Sequence, residues 1–309
     1  MEKEIKTVYL IGLGAVGVLY AQLLSGHIEQ EDLRIVADAG RIEKYRAEGI
    51  YCNGKKCDFP LADAGELTEP ADLILFTVKY TGLDGAIETM RPLVGENTVV
   101  LSAVNGISSE EKLAAAYGAE HILYAVAQGM DAVKTKNQMT YTQTGMLVFG
   151  DCQPGIISGQ ARRVKRFFER VQFPHELVTN MLDRQWGKLM LNVGLNQCSA
   201  VFGTSYGDLQ RPCEARDIMV GAMREVMAVS GPEGHPLREE DLNYWLGVLD
   251  ALNPAGKPSM AQDAEAGRPS EVELFAGTIC RLGRKHGIHT PFNDFLYEKI
   301  QEMERGYMK

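Results

Sequence analysis

The sequence lacks several things, and each absence narrows what the protein can be. No apolar run approaches the roughly 18 residues that a membrane-spanning helix needs, so no membrane role is expected. There is no surplus of positive charge: 32 Lys and Arg face 41 Asp and Glu, a net charge of −9. A nucleic-acid or anionic-membrane surface is therefore not expected, although a local basic pocket stays open. There is no CxxC pair. The six cysteines, at 52, 57, 152, 198, 213 and 280, follow neither metal-ligand nor disulfide spacing, so no metal is expected. Cys52 and Cys57 flank Asn53-Gly54-Lys55-Lys56, which reads as a hairpin turn between two reduced thiols. The opening MEKEIKTVYLIG has no secretory layout and enters a strand-like run directly. No repeat, low-complexity segment or long linker is present. These absences together lead to the expectation of a cytoplasmic, reduced, acidic protein.

What is there suits a globular chain with real cores. Hydrophobic residues make up 45% and charged residues 24% of 309, a length that suggests two domains. The first half alternates short apolar runs with amphipathic stretches. The runs at 7–11, 33–37, 73–78, 98–102 and 122–126 predict strands buried on both faces. Helical patterns lie between them, at 15–24 and 109–118 for example. That rhythm predicts a parallel doubly wound sheet. Residues 49–59 predict a small inserted hairpin, 140–150 further strands and 159–170 a helix. After about residue 178 nearly every segment has helical periodicity. The expected fold class is α/β, with an N-terminal Rossmann-type doubly wound parallel sheet over 1–176 and a C-terminal all-α domain over 177–309.

Behind the first strand stands Gly12-Leu13-Gly14-Ala15-Val16-Gly17. In a chain with 32 glycines a GxGxxG is weak by itself, but strand before and helix after give it context. Gly12 would permit the tight turn, Gly14 would let a pyrophosphate approach the backbone, and Gly17 would let the helix pack close to the strand. The second strand is expected to end at Asp38, about 20 residues further on, where an acid binds the ribose 2′-hydroxyl and favours NAD. Arg41 follows, and could clamp a 2′-phosphate and favour NADP. Lys79 and Asn105 each follow a predicted strand, and so are placed at the carboxyl edge of the sheet, where dinucleotides bind.

In the second half, WGKLMLNVGLN (186–196) sets Lys188, Asn192 and Asn196 four apart in an apolar stretch. Four residues advance a helix by about 400°, so the three share one stripe. Such a stripe costs several kcal/mol unless its groups are satisfied. A polar cleft between the domains would satisfy them, and a lysine partly desolvated there has a lowered pKa suited to acid-base work. Further on, 257–277 reads as a polar loop bearing Ser259, Asp263 and Glu271. Glu271 is expected in the first turn of the helix that follows, where an acid compensates the helix dipole.

The ordered set of GLGAVG at 12–17, TVK at 77–79, NG at 105–106, WGKLMLNVGLN at 186–196, PSMAQD with SEVELFAG within 258–277, and HGIHTP at 286–291 resembles the ketopantoate reductase (2-dehydropantoate 2-reductase) family along nearly the whole chain. The resemblance implies an NADPH-binding Rossmann domain, a helical domain, and reduction of 2-ketopantoate to pantoate for coenzyme A synthesis. It implies Lys188 as general acid and Glu271 as the acid that holds substrate and lysine. Asn105 would lie near the nicotinamide and the lysine. Asn192, Asn196 and Ser259 would bind substrate, and Lys79 would contact the cofactor. Two departures stand out. Asp38, with Arg41 three residues later, stands where some members have a basic residue, so NAD is the lesser alternative to the NADP that the resemblance implies. Tyr206 stands where some members have a substrate-binding asparagine, so another small 2-keto acid or polyol is the alternative substrate. A homodimer is the protein assembly left open.

Overall fold

The computed structural model describes residues 3–307. The chain divides into two compact units, Met1–Met181 and Leu182–Lys309. The first unit runs β1 (Val8–Ile11), α1 (Ala15–Ser25), β2 (Leu33–Val36), α2 (Ala39–Glu48), β3 (Ile50–Cys52), β4 (Lys55–Cys57), β5 (Leu61–Ala62), β6 (Leu73–Phe76) and α3 (Leu83–Met90). It continues with β7 (Val99–Ser102), α4 (Ser109–Tyr117), β8 (Ile122–Met130), β9 (Val133–Thr135), β10 (Gln138–Thr140), β11 (Thr144–Gly150), α5 (Gly159–Arg170) and β12 (His175–Leu177).

Eight strands form the main sheet in the order β12-β11-β8-β7-β6-β1-β2-β5, parallel except where β11 runs against β8. The strands VYLI, LILF and VVLS are buried at every position, which is why they read as unbroken apolar runs. Ile11 at the end of β1 lies opposite Val36 of β2 and Phe76 of β6, and Phe76 lies opposite Ser102 of β7. The four carboxyl ends therefore meet at one edge. β1 sits between β2 and β6, where the strand order reverses and a doubly wound sheet takes its ligand.

A second sheet, β4-β3-β10-β9, is larger than the hairpin read from the sequence. The β3–β4 hairpin is present, with Asn53 (φ 48°) and Gly54 (φ 78°) supplying the left-handed residues of its two-residue turn. The β9–β10 hairpin joins it, Gln138 and Met139 pairing with Tyr51 and Cys52. Cys52 and Cys57 are free thiols, and burial pushes Cys57 up to about 11.

One buried ion pair holds the start of β1, β6 and α5 together. Asp72 Oδ2 accepts from the Lys6 and Thr7 amides at 3.0 and 3.1 Å, while Oδ1 meets Lys3 Nζ at 2.8 Å and Arg163 Nη2 at 3.5 Å. Burial alone would raise the Asp72 pKa, but the bonds from Lys3, Lys6 and Thr7 outweigh it and hold the carboxyl below its usual range. Asp72→Ala would leave the buried Arg163 guanidinium its bond to the Asn97 carbonyl but take away this carboxylate, and is expected to cost about 3–5 kcal/mol in urea unfolding. A folded pKa below the unfolded one means that the contribution is present above the unfolded value and lost as pH falls through the folded value. The wild type should therefore lose more stability in acid than Asp72→Ala does. Parallel acid titrations would contradict the assignment.

The second unit is helical: α6 (Met181–Phe202), α7 (Tyr206–Leu209), α8 (Glu214–Ser230), α9 (Glu239–Asp250), α10 (Ser259–Glu265), α11 (Ala276–His286) and α12 (Pro291–Tyr307). α6 and α8 cross closely because Gly194 has no side chain: a Cβ there would lie 2.9 Å from the Met219 carbonyl oxygen. Buried Glu225 of α8 caps α12, accepting from the Phe292 and Asn293 amides at 2.8 and 2.9 Å.

Candidate functional site

The glycine loop joins β1 to α1, and its three glycines are needed for different reasons. Gly12 has φ +103°, and a Cβ there would lie 2.7 Å from the Val78 amide nitrogen. A Cβ on Gly17 would lie 1.8 Å from the Gly12 carbonyl oxygen, so the helix could not pack on the turn. At Gly14 the nearest atom, the Thr77 carbonyl oxygen, is 3.8 Å away, so the chain itself does not require glycine there. Gly14 is also the N-cap of α1, with no side-chain cap and no acid in the first turn. The helix start therefore presents amides and a positive dipole end that neither a capping side chain nor a first-turn acid compensates, a cradle suited to phosphate. Thr77 fixes the loop, its hydroxyl lying 2.6 Å from the Gly12 carbonyl oxygen and 3.1 Å from that of Ile11. The sequence reading used Thr77 only as part of a motif. A polar residue closing the apolar run LILF was the available signal.

The second strand stops at Val36, two residues before the expected end. Asp38 instead caps α2, its Oδ1 accepting from the Arg41 amide at 2.9 Å. Its Oδ2 meets Arg41 Nε at 3.3 Å. The acid and the base read as rivals for the ribose are thus paired with each other, both mostly exposed. Lys79 is exposed at the start of a short 3₁₀ turn after β6, and Asn105 is half-buried in the loop between β7 and α4. With Gly12 and Asp38, they occupy the shared carboxyl edge.

In the second unit, α6 carries the polar stripe. Asn192 and Asn196 are 8% and 6% exposed, and Lys188 is half-buried beside Leu189 and Met190, which are 1% and 0% exposed. Burial pushes the Lys188 ammonium pKa down to about 8, against the opposing charge of Glu271. Glu271 is not in a first helical turn, as had been expected. α11 begins at Ala276, and Glu271 lies in the turn before it, its carbonyl accepting from the Leu274 and Phe275 amides at 2.9 and 3.3 Å. Dipole compensation is therefore not its role. Ser259 also departs from expectation: it is exposed and opens α10, because SMAQDAE behind Pro258 is a competent helix former. Buried Gln197, which the sequence reading passed over, ties α6 to α11 by accepting from the Ala276 amide at 3.1 Å and donating to the Val193 carbonyl at 2.7 Å. It lies off the stripe, where an amide in an apolar helix gives no hint of its partner. Tyr206 opens α7 behind the Ser205 cap, its amide donating to the Gly256 carbonyl at 2.9 Å.

A glycine turn between strand and helix at the reversal point of a doubly wound sheet, followed by an all-helical second unit, defines a dinucleotide-binding protein of the Rossmann class. The model of "Ketopantoate reductase PanE/ApbA" matches residues 8–154, and that of "Ketopantoate reductase PanE/ApbA C terminal" matches 180–304. The chain belongs to the ketopantoate reductase family. It is 24% identical over 307 residues to the 2-dehydropantoate 2-reductase of Aquifex aeolicus, covering 97% of both chains. The crystal structure of 2-dehydropantoate 2-reductase from Geobacter metallireducens GS-15 superposes with a TM-score of 0.82 at 25% identity, covering 96% of this chain and 99% of that one. A ternary structure of D-mandelate dehydrogenase with NADH and anilino(oxo)acetate shares the fold, with a TM-score of 0.85 at 20% identity over 98% of this chain and 100% of the other.

Proposed function

We propose that the protein reduces 2-dehydropantoate to pantoate with NADPH. The observation that carries this reading is Lys188, an amine on an apolar helix with its pKa pushed down to about 8 and the charge of Glu271 acting on it. An ordinary lysine, near 10.4, holds its proton too tightly to be an efficient acid at neutral pH. One near 8 is still protonated at pH 7 and gives the proton up more readily.

When bound, NADPH supplies the hydride. Lys188 donates a hydrogen bond to the substrate ketone oxygen, stabilises the negative charge that develops there, and transfers its proton to the alkoxide. Glu271 holds the ammonium and the substrate. Asn192, Asn196 and Ser259 bind the polar groups of the keto acid. The backbone at Gly12, Gly14 and Gly17 takes the pyrophosphate, and Lys79 and Asn105 contact the cofactor. Asp38 and Arg41 stand at the ribose end.

The pH dependence tests this assignment. Reduction should be flat in pH below the Lys188 pKa and fall about tenfold per unit above about 8, where the acid is lost. The Glu271 charge raises the Lys188 pKa, so Glu271→Gln should move the break to lower pH. A profile with no break through this range would exclude Lys188 as the acid. A second reading, reduction of another small 2-keto acid, is favoured by one residue: half-buried Tyr206 stands at the position where the family resemblance puts an asparagine, whose amide would suit the hydroxyl of ketopantoate.

A further inference from the structure

The small β4-β3-β10-β9 sheet has no part in the reading above, yet it completes a strongly basic pocket. A cavity of about 700 Å³ is lined by Leu13 of the glycine loop, by Arg41, Lys44 and Glu48 of α2, and by Lys134 and Lys136 of the β9–β10 hairpin, among others. Four cations against one carboxylate is an outlier in a chain of net charge −9. The hairpin is fixed in place: Asn137 at its turn donates to the Glu48 carbonyl at 2.7 Å and accepts from the Tyr51 amide at 2.9 Å. Lys134 is half-buried, and its pKa is lowered first by burial and then by the charge of Lys44, with Glu48 opposing. A site that sets one ammonium against another is relieved by an anion. Arg41 has less to offer, because the Asp38 carboxylate is already on its guanidinium.

We propose that Lys134 and Lys44 together receive the phosphate monoester on the adenosine ribose, the group that distinguishes NADPH from NADH, and that this pair rather than Arg41 sets the cofactor preference. Leu13 places the pocket against the same loop that is read as holding the pyrophosphate, and the proposal rests on that reading. A monoester dianion carries about two negative charges, enough to engage both ammonium groups at once.

Equilibrium titration tests it without turnover. Adenosine 2′,5′-bisphosphate, adenosine 5′-diphosphate, NADPH and NADH would each be titrated into wild type, Lys134→Met and Arg41→Ala, with thermal melting to confirm that both variants fold. Lys134→Met should weaken the 2′-phosphorylated ligands about ten- to a hundredfold, the loss of one charge-assisted hydrogen bond, and change adenosine 5′-diphosphate and NADH by less than about twofold. Arg41→Ala should have the smaller effect on that ratio. A Lys134→Met protein that keeps the wild-type NADPH-to-NADH preference, or loses all four ligands equally, overturns this inference and leaves the proposed reductase standing. Wild-type protein that binds neither dinucleotide overturns the proposed function itself.

Discussion

Lys188→Ala is expected to lower the rate of ketone reduction by about a hundredfold to ten-thousandfold, the usual range for loss of a positioned general acid. NADPH affinity should change little, because the residues read as holding cofactor are in the first unit and Lys188 is on α6 of the second. Thermal stability should also hold: removing a lysine whose charge is disfavoured by its surroundings relieves a desolvation cost. That combination separates a chemical role from a structural one. Lys188→Arg should not rescue the rate, since a guanidinium cannot be deprotonated in this range. A variant whose rate fell only in step with its melting temperature would make Lys188 a packing residue.

The second large effect separates two glycines three residues apart. Gly17→Ala puts a methyl 1.8 Å from the Gly12 carbonyl oxygen and 2.7 Å from the Thr77 hydroxyl, so either the α1 helix or the turn must move. The Thr77 bonds to the Gly12 and Ile11 carbonyls would strain with it. Overpacking of this kind costs about 3 kcal/mol or more, and backbone is the obstacle rather than a flexible side chain. The variant should melt well below wild type or accumulate as insoluble protein. Gly14→Ala meets nothing closer than 3.8 Å, so it should fold with a wild-type melting temperature. It should nevertheless lose NADPH binding at least about tenfold, because its methyl projects where a pyrophosphate would approach the α1 amides. Equal destabilisation by the two substitutions would mean that Gly14 serves the fold alone.

The contrast shows which parts of the molecule were legible in the sequence. The residues around these glycines were, because sheet strands buried on both faces and an amphipathic helix between them leave plain periodicities. α5 occupies the expected 159–170, and α6 covers the expected run with its lysine and two asparagines on one stripe. The β9–β10 hairpin was not legible. Its two strands have three residues each, mostly part-exposed and polar, too short for a period of two to register. The pairing of β10 with β3 joins residues more than 80 positions apart, which no local pattern carries. α10 was hidden for the opposite reason: Pro, Ser and Asp around it are loop formers by composition, but behind Pro258 they start a helix. Glu271 was expected in a first helical turn and lies in the turn before α11, since the two look alike in sequence. Arg41 was legible as a charge just after the second strand. Its pairing with Asp38 was not, and that pairing is one ground for proposing Lys44 and Lys134 as the phosphate ligands.

Initial rates at the reduced-nicotinamide absorbance band show whether this chain is a ketopantoate reductase in activity as well as in family. Purified protein would be supplied with NADPH and a panel of 2-keto acids that includes 2-dehydropantoate and aryl 2-keto acids. 2-Dehydropantoate should have the highest kcat/KM, and the signal should disappear with Lys188→Ala. A faster aryl substrate, with 2-dehydropantoate left nearly unreacted, would contradict that activity and assign the half-buried Tyr206 to a different keto acid.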